Sequence, residues 1–387
     1  MKLIEEVREI ANNPVETAVS LPFAAYSDPE FYELEMEKVF RNDWVFVCNE
    51  AELSKPGDYY AFTLADEPMI VIRGKDGTLR AMSNVCRHRG TPLNDEGFGN
   101  KSRMVCPYHA WTYKDDGKLI GVSHPGNIEV NKEEHCLPQF ALESWHGLVF
   151  VNINGNAEPL AERYNGIEKY LKRYNIEKFV YGDGGEDEAW DTNWKLAIEN
   201  GIESYHLFKV HKETLEVNTP TRLAFYLEGQ ADWTLTAGEL VGQSMTGLGG
   251  KLMEMFTPEK IKRLYSHYVL FSLPPNFVGI LLGDTLGYLA VRPAAAGKSY
   301  IRAGTISASN VNPSKDEQAF TAAFFEEDKW ICERNQTAMK SKAGKPGKLV
   351  ELERVVVDFH QYLSSRLFGT TPDAAFVAKE AEDFIEK

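Results

Sequence analysis

The sequence predicts an α+β protein built as a small antiparallel β domain followed by a larger domain in which an antiparallel sheet is flanked by helices. Three observations carry this expectation. From Trp44 on, short runs of strand formers at 44–48, 59–63, 69–73 and 79–82 are punctuated by Gly57, Gly74 and the Asp76-Gly77 pair, as successive hairpins would be. β-like runs return between Arg222 and Leu240 and at 265–273, 277–282 and 286–291. The final third reads as helix again, over 315–339 and 352–367.

Composition sets the outer bounds. A chain of 387 residues, 43% hydrophobic and 26% charged, can bury two sizeable cores and shows no compositional sign of disorder. A net charge of −15 argues against nucleic acid or an anionic membrane as partner, since both demand basic patches. The start, Met1-Lys2-Leu3-Ile4-Glu5-Glu6-Val7, places acids where a signal peptide needs an apolar core, and no run reaches the roughly 18 apolar residues of a membrane span. Five sparse cysteines, Cys48, Cys86, Cys106, Cys136 and Cys332, suit a reducing compartment better than a disulfide framework. The expected location is the cytoplasm.

In chain order, residues 1–41 form two amphipathic helical pieces, 3–11 and 29–40, expected to pack on the larger domain. Residues 42–152 form the β domain, closed by a run of strand formers at 145–152. Residues 153–387 form the larger domain, entered by a helix at 159–174 and an acidic Gly-rich loop at 182–187. A helix follows over 193–205, with Thr192 or Asn193 as cap and Trp194, Leu196, Ala197, Ile198 and Ile202 as apolar faces.

Two histidines end that helix, His206 and His211. At about 100° per residue, a five-residue spacing puts them roughly 140° apart, so a shared ion requires the helix to bend or unwind between them. Glu203, three residues before His206, lies on the same helical face, where its carboxylate can accept a hydrogen bond from the imidazole. Taken alone, two histidines at a helix end are as well read as ordinary surface residues.

A second cluster stands in the β domain: Cys86-Arg87-His88, then Cys106-Pro107-Tyr108-His109. Four such donors can make a structural zinc site. One thiolate and one imidazole from each of two tight loops is also the pattern of a Rieske [2Fe–2S] centre, in which two cysteines hold one iron and two histidines the other.

With these residues in view, the chain resembles the large (alpha) subunit of the Rieske non-haem iron oxygenases, the aromatic ring-hydroxylating family, over nearly its whole length. The loop pattern lies in the N-terminal half, and Asn200, Glu203, Tyr205, His206 and His211 lie in the C-terminal half. The resemblance implies a cluster held by Cys86, His88, Cys106 and His109, and a mononuclear Fe(II) held by His206, His211 and a distant carboxylate. It also implies catalytic roles for Asn200 and for Glu203, the latter bridging His206 to His109 of a neighbouring copy. Many members carry Asp at the Glu203 position; Glu is known in members that act on quaternary amines.

The distant carboxylate can be sought on the residues themselves. With Phe324 at zero on the 320–339 helix, Phe320, Ile331, Cys332, Asn335 and Met339 fall within about 80°, and Asp328 falls inside that stripe at about 40°. Glu326 and Glu333 land near the opposite face and Glu327 on the edge. An acid on an apolar face requires a cation, which selects Asp328, with a core Arg or Lys pair as the alternative. The family pattern of Asp followed five residues later by Glu, here Glu333, agrees. Asn335 is a candidate supporting residue, and Asn200, Leu207, Phe208 and Val210 are candidate pocket walls.

The function this implies is the oxygenase component of a two-metal system, hydroxylating an aromatic or similar small organic substrate with O2. Oxidative N- or O-demethylation and quaternary-amine monooxygenation are the alternatives within the family. A pure electron carrier is disfavoured by the second site, and a zinc-stapled interaction protein by the loop pattern. With no nucleotide-binding G-x-G-x-x-G motif, the chain would draw electrons from an NAD(P)H-dependent flavin or iron–sulfur reductase, possibly through a ferredoxin. A homotrimer is expected from the resemblance.

Overall fold

The computed structural model describes residues 2–241, 266–310 and 315–386. Its N-terminal helix Lys2–Ile10 buries Val7 and lies against a late helix, Arg354–Phe368, where Arg8 stacks over the Phe368 ring at 4.9 Å. A second helix, Pro29–Glu35, starts with proline in its first turn, and the Asp28 carboxylate accepts from the Phe31 N–H at 2.8 Å. It delivers Glu35, fully buried, to Lys195 Nζ at 2.6 Å and to the Trp194 indole N–H at 2.9 Å. The N-terminal segment is thereby anchored to the helix that leads into the histidine pair.

The β domain contains Val45–Asn49 (β1), Asp58–Leu64 (β2), Glu67–Arg73 (β3), Leu79–Ser83 (β4), Gly97–Asn100 (β5), Met104–Val105 (β6), Thr112–Tyr113 (β7), Leu119–Gly121 (β8), Gln139–Trp145 (β9) and Leu148–Asn152 (β10). Among the described residues these form a seven-stranded antiparallel sheet, β1-β10-β9-β4-β3-β2-β5, and a three-stranded one, β6-β7-β8. The expected single run at 145–152 is instead a hairpin. His146 (φ 50°) and Gly147 (φ 78°) both adopt left-handed torsions, the geometry of a two-residue turn whose twist matches its strands.

The larger sheet is antiparallel throughout. It runs β11 (Tyr181–Gly184), β18 (Lys298–Ser307), β17 (Thr285–Ala295), β16 (Phe277–Leu282), β15 (His267–Leu273), β14 (Trp233–Glu239), β13 (Ala224–Gln230), β19 (Phe376–Val377), with β12 (Glu188–Trp190) also on β18. The expected run at 265–273 begins here at His267, Tyr265 itself lying outside the described residues. Three further expectations change. The loop at 182–187 begins as strand β11; the helix at 159–174 is broken into Leu160–Arg163, Glu168–Leu171 and a last 3-10 turn; and the helix at 193–205 ends at Gly201. At the break, position 166 must be glycine, because a Cβ there would meet the Trp233 ring at 2.4 Å.

The two sheets meet through side chains rather than strands. Phe46 of β1 packs edge-on against Phe277 and Tyr288, and the Asn276 side chain bonds both the N–H and the C=O of Phe46 at 2.9 Å. Asp43, just before β1, sits in a buried ionic cluster with Arg163, Arg366 and the Tyr362 hydroxyl. No described helix is long and apolar enough to cross a membrane.

Candidate metal centres

The helix Trp194–Gly201 and the long helix Lys315–Ala338 run antiparallel and are pinned at two points. At one end the Asn193 N–H donates to Gln336 Oε1 at 2.8 Å, and at the other Asn200 Nδ2 donates to Asp328 Oδ1 at 2.7 Å. The pins are seven residues apart on one helix and eight on the other, 10 to 12 Å at about 1.5 Å per residue, so the two rods stay in register. Asn193 is the cap, its side chain accepting from the Lys195 N–H at 3.0 Å.

After Gly201 the chain unwinds and restarts as a single helical turn, Leu207–Val210, flanked by His206 and His211. The predicted break therefore lies before His206, not between the histidines. Their rings converge, with centroids 5.0 Å apart at 62°; His206 keeps right-handed helical torsions (φ −76°, ψ −17°), while His211 at the other end of the turn leaves them (φ −102°, ψ 31°). Glu203 starts that turn: its carboxylate accepts from the N–H groups of Tyr205 and His206 and from His206 Nδ1–H, the last at 2.6 Å.

His206, His211 and Asp328 bring one donor atom each within 4.8 Å of one another, the one such group among the described residues. His211 Nε2 lies 2.9 Å and His206 Nε2 3.5 Å from Asp328 Oδ1. Two ligands about 2.1 Å from an ion and at right angles to each other sit roughly 3.0 Å apart, so these separations fit adjacent corners of one coordination sphere. The electrostatics agree. Burial opposes charge on His206, yet Glu203 and Asp328 outweigh it and push the imidazole up to about 10; burial likewise opposes the Asp328 carboxylate, and the two imidazoles bring it down to about 2. The site attracts positive charge.

The sequence missed Glu327 as part of this site. Its Oε2 accepts from His211 Nδ1 at 2.7 Å and from the Thr214 hydroxyl at 2.5 Å. Asn335, expected to support the site, is exposed, while its neighbour Gln336 is buried and makes the pinning bond. Glu333 instead accepts from the Asp191 N–H at 3.0 Å. Among the candidate pocket walls, Leu207 is buried, Phe208 is half exposed, and Asn200 holds Asp328 rather than standing free.

The two loops of the β domain share one backbone pattern. In each, the cysteine carbonyl accepts from the N–H four residues on (Gly90 to Cys86, Ala110 to Cys106, both 3.0 Å), and the cysteine N–H donates to the carbonyl five residues on (Thr91 at 2.9 Å, Trp111 at 2.8 Å). The fourth residue in both is left-handed, Gly90 at φ 77° and Ala110 at φ 55°. Cys86 and Cys106 are buried side by side. Burial raises the Cys86 thiol; at Cys106 the N–H groups of Tyr108 and His109 overcome burial and hold it below the usual thiol range.

His88 stacks flat on Trp111, with centroids 4.8 Å apart at 10°, and meets His109 edge-on at 4.7 Å. His109 Nδ1 is buried with no hydrogen-bond partner, as an imidazole prepared for a metal would be. One tetrahedral zinc would draw all four donors within about 4 Å of one another. They form no such close group, which fits a two-iron cluster better than a single zinc.

Comparison with known proteins matches two stretches of the chain to family models. Residues 43–140 match the Rieske [2Fe-2S] domain, and residues 169–369 match the catalytic domain of the ring hydroxylating alpha subunit. The chain is 36% identical over 193 residues to the anthranilate 1,2-dioxygenase large subunit of Acinetobacter baylyi, covering 48% of this chain and 41% of that protein. It is 35% identical over 196 residues to the glycine betaine monooxygenase oxygenase subunit of Chromohalobacter salexigens, covering 51% and 44%. Both matches thus span less than half of the relative's length. The fold is that of a quaternary ammonium Rieske monooxygenase crystal structure, with a TM-score of 0.78 at 23% identity over 93% of this chain and 98% of that one.

Proposed function

The chain belongs to the ring hydroxylating alpha-subunit family, and from that premise we propose that it is the oxygenase component of a Rieske non-haem iron system, oxidising an aromatic or similar small organic substrate with O2. The observation that carries the reading is the convergence of His206, His211 and Asp328 in a chain whose separate β domain presents two Cys/His loops. Family membership brings a Rieske [2Fe–2S] cluster and a mononuclear iron. When bound, the iron supplies open coordination positions for O2 beside the substrate, and the cluster supplies single electrons.

Each residue then has a job. Cys86, Cys106, His88 and His109 hold the cluster. His206, His211 and Asp328 would hold the iron through one donor atom each. Asn200 fixes the Asp328 carboxylate by its 2.7 Å bond, and Glu203, by accepting a 2.6 Å hydrogen bond from Nδ1–H, keeps the proton on Nδ1 and leaves the His206 Nε2 lone pair free for the iron. Glu203 further bridges His206 to His109 of a neighbouring copy in a homotrimer. The exposed loop tip around Arg87, His88 and Tyr108 suits such contacts and those of an NAD(P)H-dependent reductase or ferredoxin. All five cysteines are free, which fits a cytoplasmic setting.

A second reading, quaternary-amine monooxygenation, is favoured by Glu203 standing where many members have Asp and by the glycine betaine monooxygenase relative. One experiment tests both. Protein with a reduced cluster is exposed to isotopically labelled O2 with aromatic or quaternary ammonium substrates. Labelled product and substrate-dependent cluster reoxidation are expected for one class. Equal turnover by protein stripped of its mononuclear iron would refute the proposal.

A further inference from the structure

We propose that Glu327 is a positioning residue that fixes the ring orientation and tautomer of His211. This rests on the reading of His206, His211 and Asp328 as iron ligands. His211 is fully buried, and its ring is gripped at both nitrogens by successive residues of one helix: Nε2 faces Asp328 at 2.9 Å and Nδ1 faces Glu327 at 2.7 Å. Side chains one residue apart diverge by about 100° around a helix, so the two carboxylates straddle the imidazole like a fork.

The chemistry at the two nitrogens differs. Asp328 Oδ1 is shared with His206 Nε2 and Asn200, so it belongs to the point where the donors converge. Glu327 faces away from that point and receives a second donor, the Thr214 hydroxyl, on the same Oε2 atom at 2.5 Å. A carboxylate on Nδ1 keeps the proton there and leaves the Nε2 lone pair toward the metal. Thr214, three residues beyond His211, holds Glu327 in place. The arrangement repeats what Glu203 does for His206, so each histidine has its own carboxylate clamp, one from the turn and one from the long helix.

The test measures metal rather than turnover. Protein stripped of mononuclear iron but retaining its cluster is dialysed anaerobically against buffered Fe(II), and bound iron is counted against cluster absorbance. Glu327→Ala should weaken Fe(II) binding about 10- to 100-fold with the cluster spectrum unchanged, and Thr214→Val should weaken it less. Glu327→Gln keeps the volume and one acceptor oxygen, so it should fall between wild type and Glu327→Ala, and it carries the test if the alanine variant does not fold. A purely structural glutamate would lower the thermal midpoint and leave the iron curve in place; overlapping curves for wild type and both Glu327 variants would overturn the proposal. Uptake indifferent to His211→Ala would instead overturn the ligand reading beneath it.

Discussion

Replacing Asp43 by Asn should loosen the joint between the two domains far more than a one-atom change suggests. The Asp43 side chain is 3% exposed and accepts from Arg163 through both terminal nitrogens, from Arg366 Nε at 2.8 Å, from the Tyr362 hydroxyl at 2.7 Å and from the Trp44 N–H at 2.7 Å. Its amide counterpart keeps the size but not the charge. Arg163, 1% exposed, and Arg366 would then share only Asp232, which is 23% exposed. Breaking a buried pair from one side costs roughly 3 to 5 kcal/mol, and the remaining Asp232 contact places the expectation near 3. For a folding unit of about 200 residues that is a drop in melting midpoint on the order of 10 °C, followed by circular dichroism with cluster absorbance as a second probe. The effect also has a sign in pH. Burial opposes the Asp43 charge, but Arg163 and Arg366 outweigh it and hold the carboxyl far below the ordinary value of about 3.9. Its stabilisation is therefore present above about pH 4 and is lost as the pH falls toward the folded value, so the gap between wild type and D43N should narrow below about pH 4. A D43N midpoint within about 2 °C of wild type at neutral pH, or a gap unchanged on acidification, would refute the argument.

Three other outcomes are expected. Asp328→Ala should lose the mononuclear iron and keep the Rieske spectrum; iron content equal to wild type would exclude Asp328 as ligand. Glu203→Gln should bind both metals yet slow reoxidation of a pre-reduced cluster with substrate and O2 present, and a wild-type rate would remove the bridging role. Asp358, bonded to the Tyr226 hydroxyl at 2.7 Å, is pushed by burial up to about 6. A raised carboxyl stabilises the fold below its unfolded pKa near 3.9 and loses that contribution as pH rises through about 6. Asp358→Asn should thus flatten the stability profile across pH 4 to 7 by up to roughly 3 kcal/mol, and denaturant midpoints of unchanged slope in pH would contradict this.

Legibility followed range. Cys86, His88, Cys106 and His109 could be read because each loop is local, and its turn, closed by Gly90 or Ala110, involves nearby backbone alone. Asp328 could be read because an acid on an apolar stripe is conspicuous wherever its partner comes from. Glu327 could not. It sits at the edge of the stripe and its meaning comes from His211, 116 residues away. The helix face was also placed one residue off: Gln336 is buried because Asn193 and Tyr26 supply its partners, a tertiary fact that leaves Asn335 in solvent. Likewise the break before His206 is set by the Glu203 carboxylate binding the next turn's N–H groups, which helical periodicity does not register.

The paired loops place the proposed cluster across a dielectric boundary. Cys86 and Cys106 are 2% and 3% exposed, whereas residues 87–90 are exposed and Tyr108 is 55% exposed. Charge on the sulfur side is felt through protein, and charge on the imidazole side through water and its ions. Added salt should therefore screen the outer half within a Debye length of about 10 Å at 0.1 M and leave the inner half largely untouched. A protein that covers the tip would exclude that water and make the two halves alike, so docking itself would shift the reduction potential at the moment an electron is to pass.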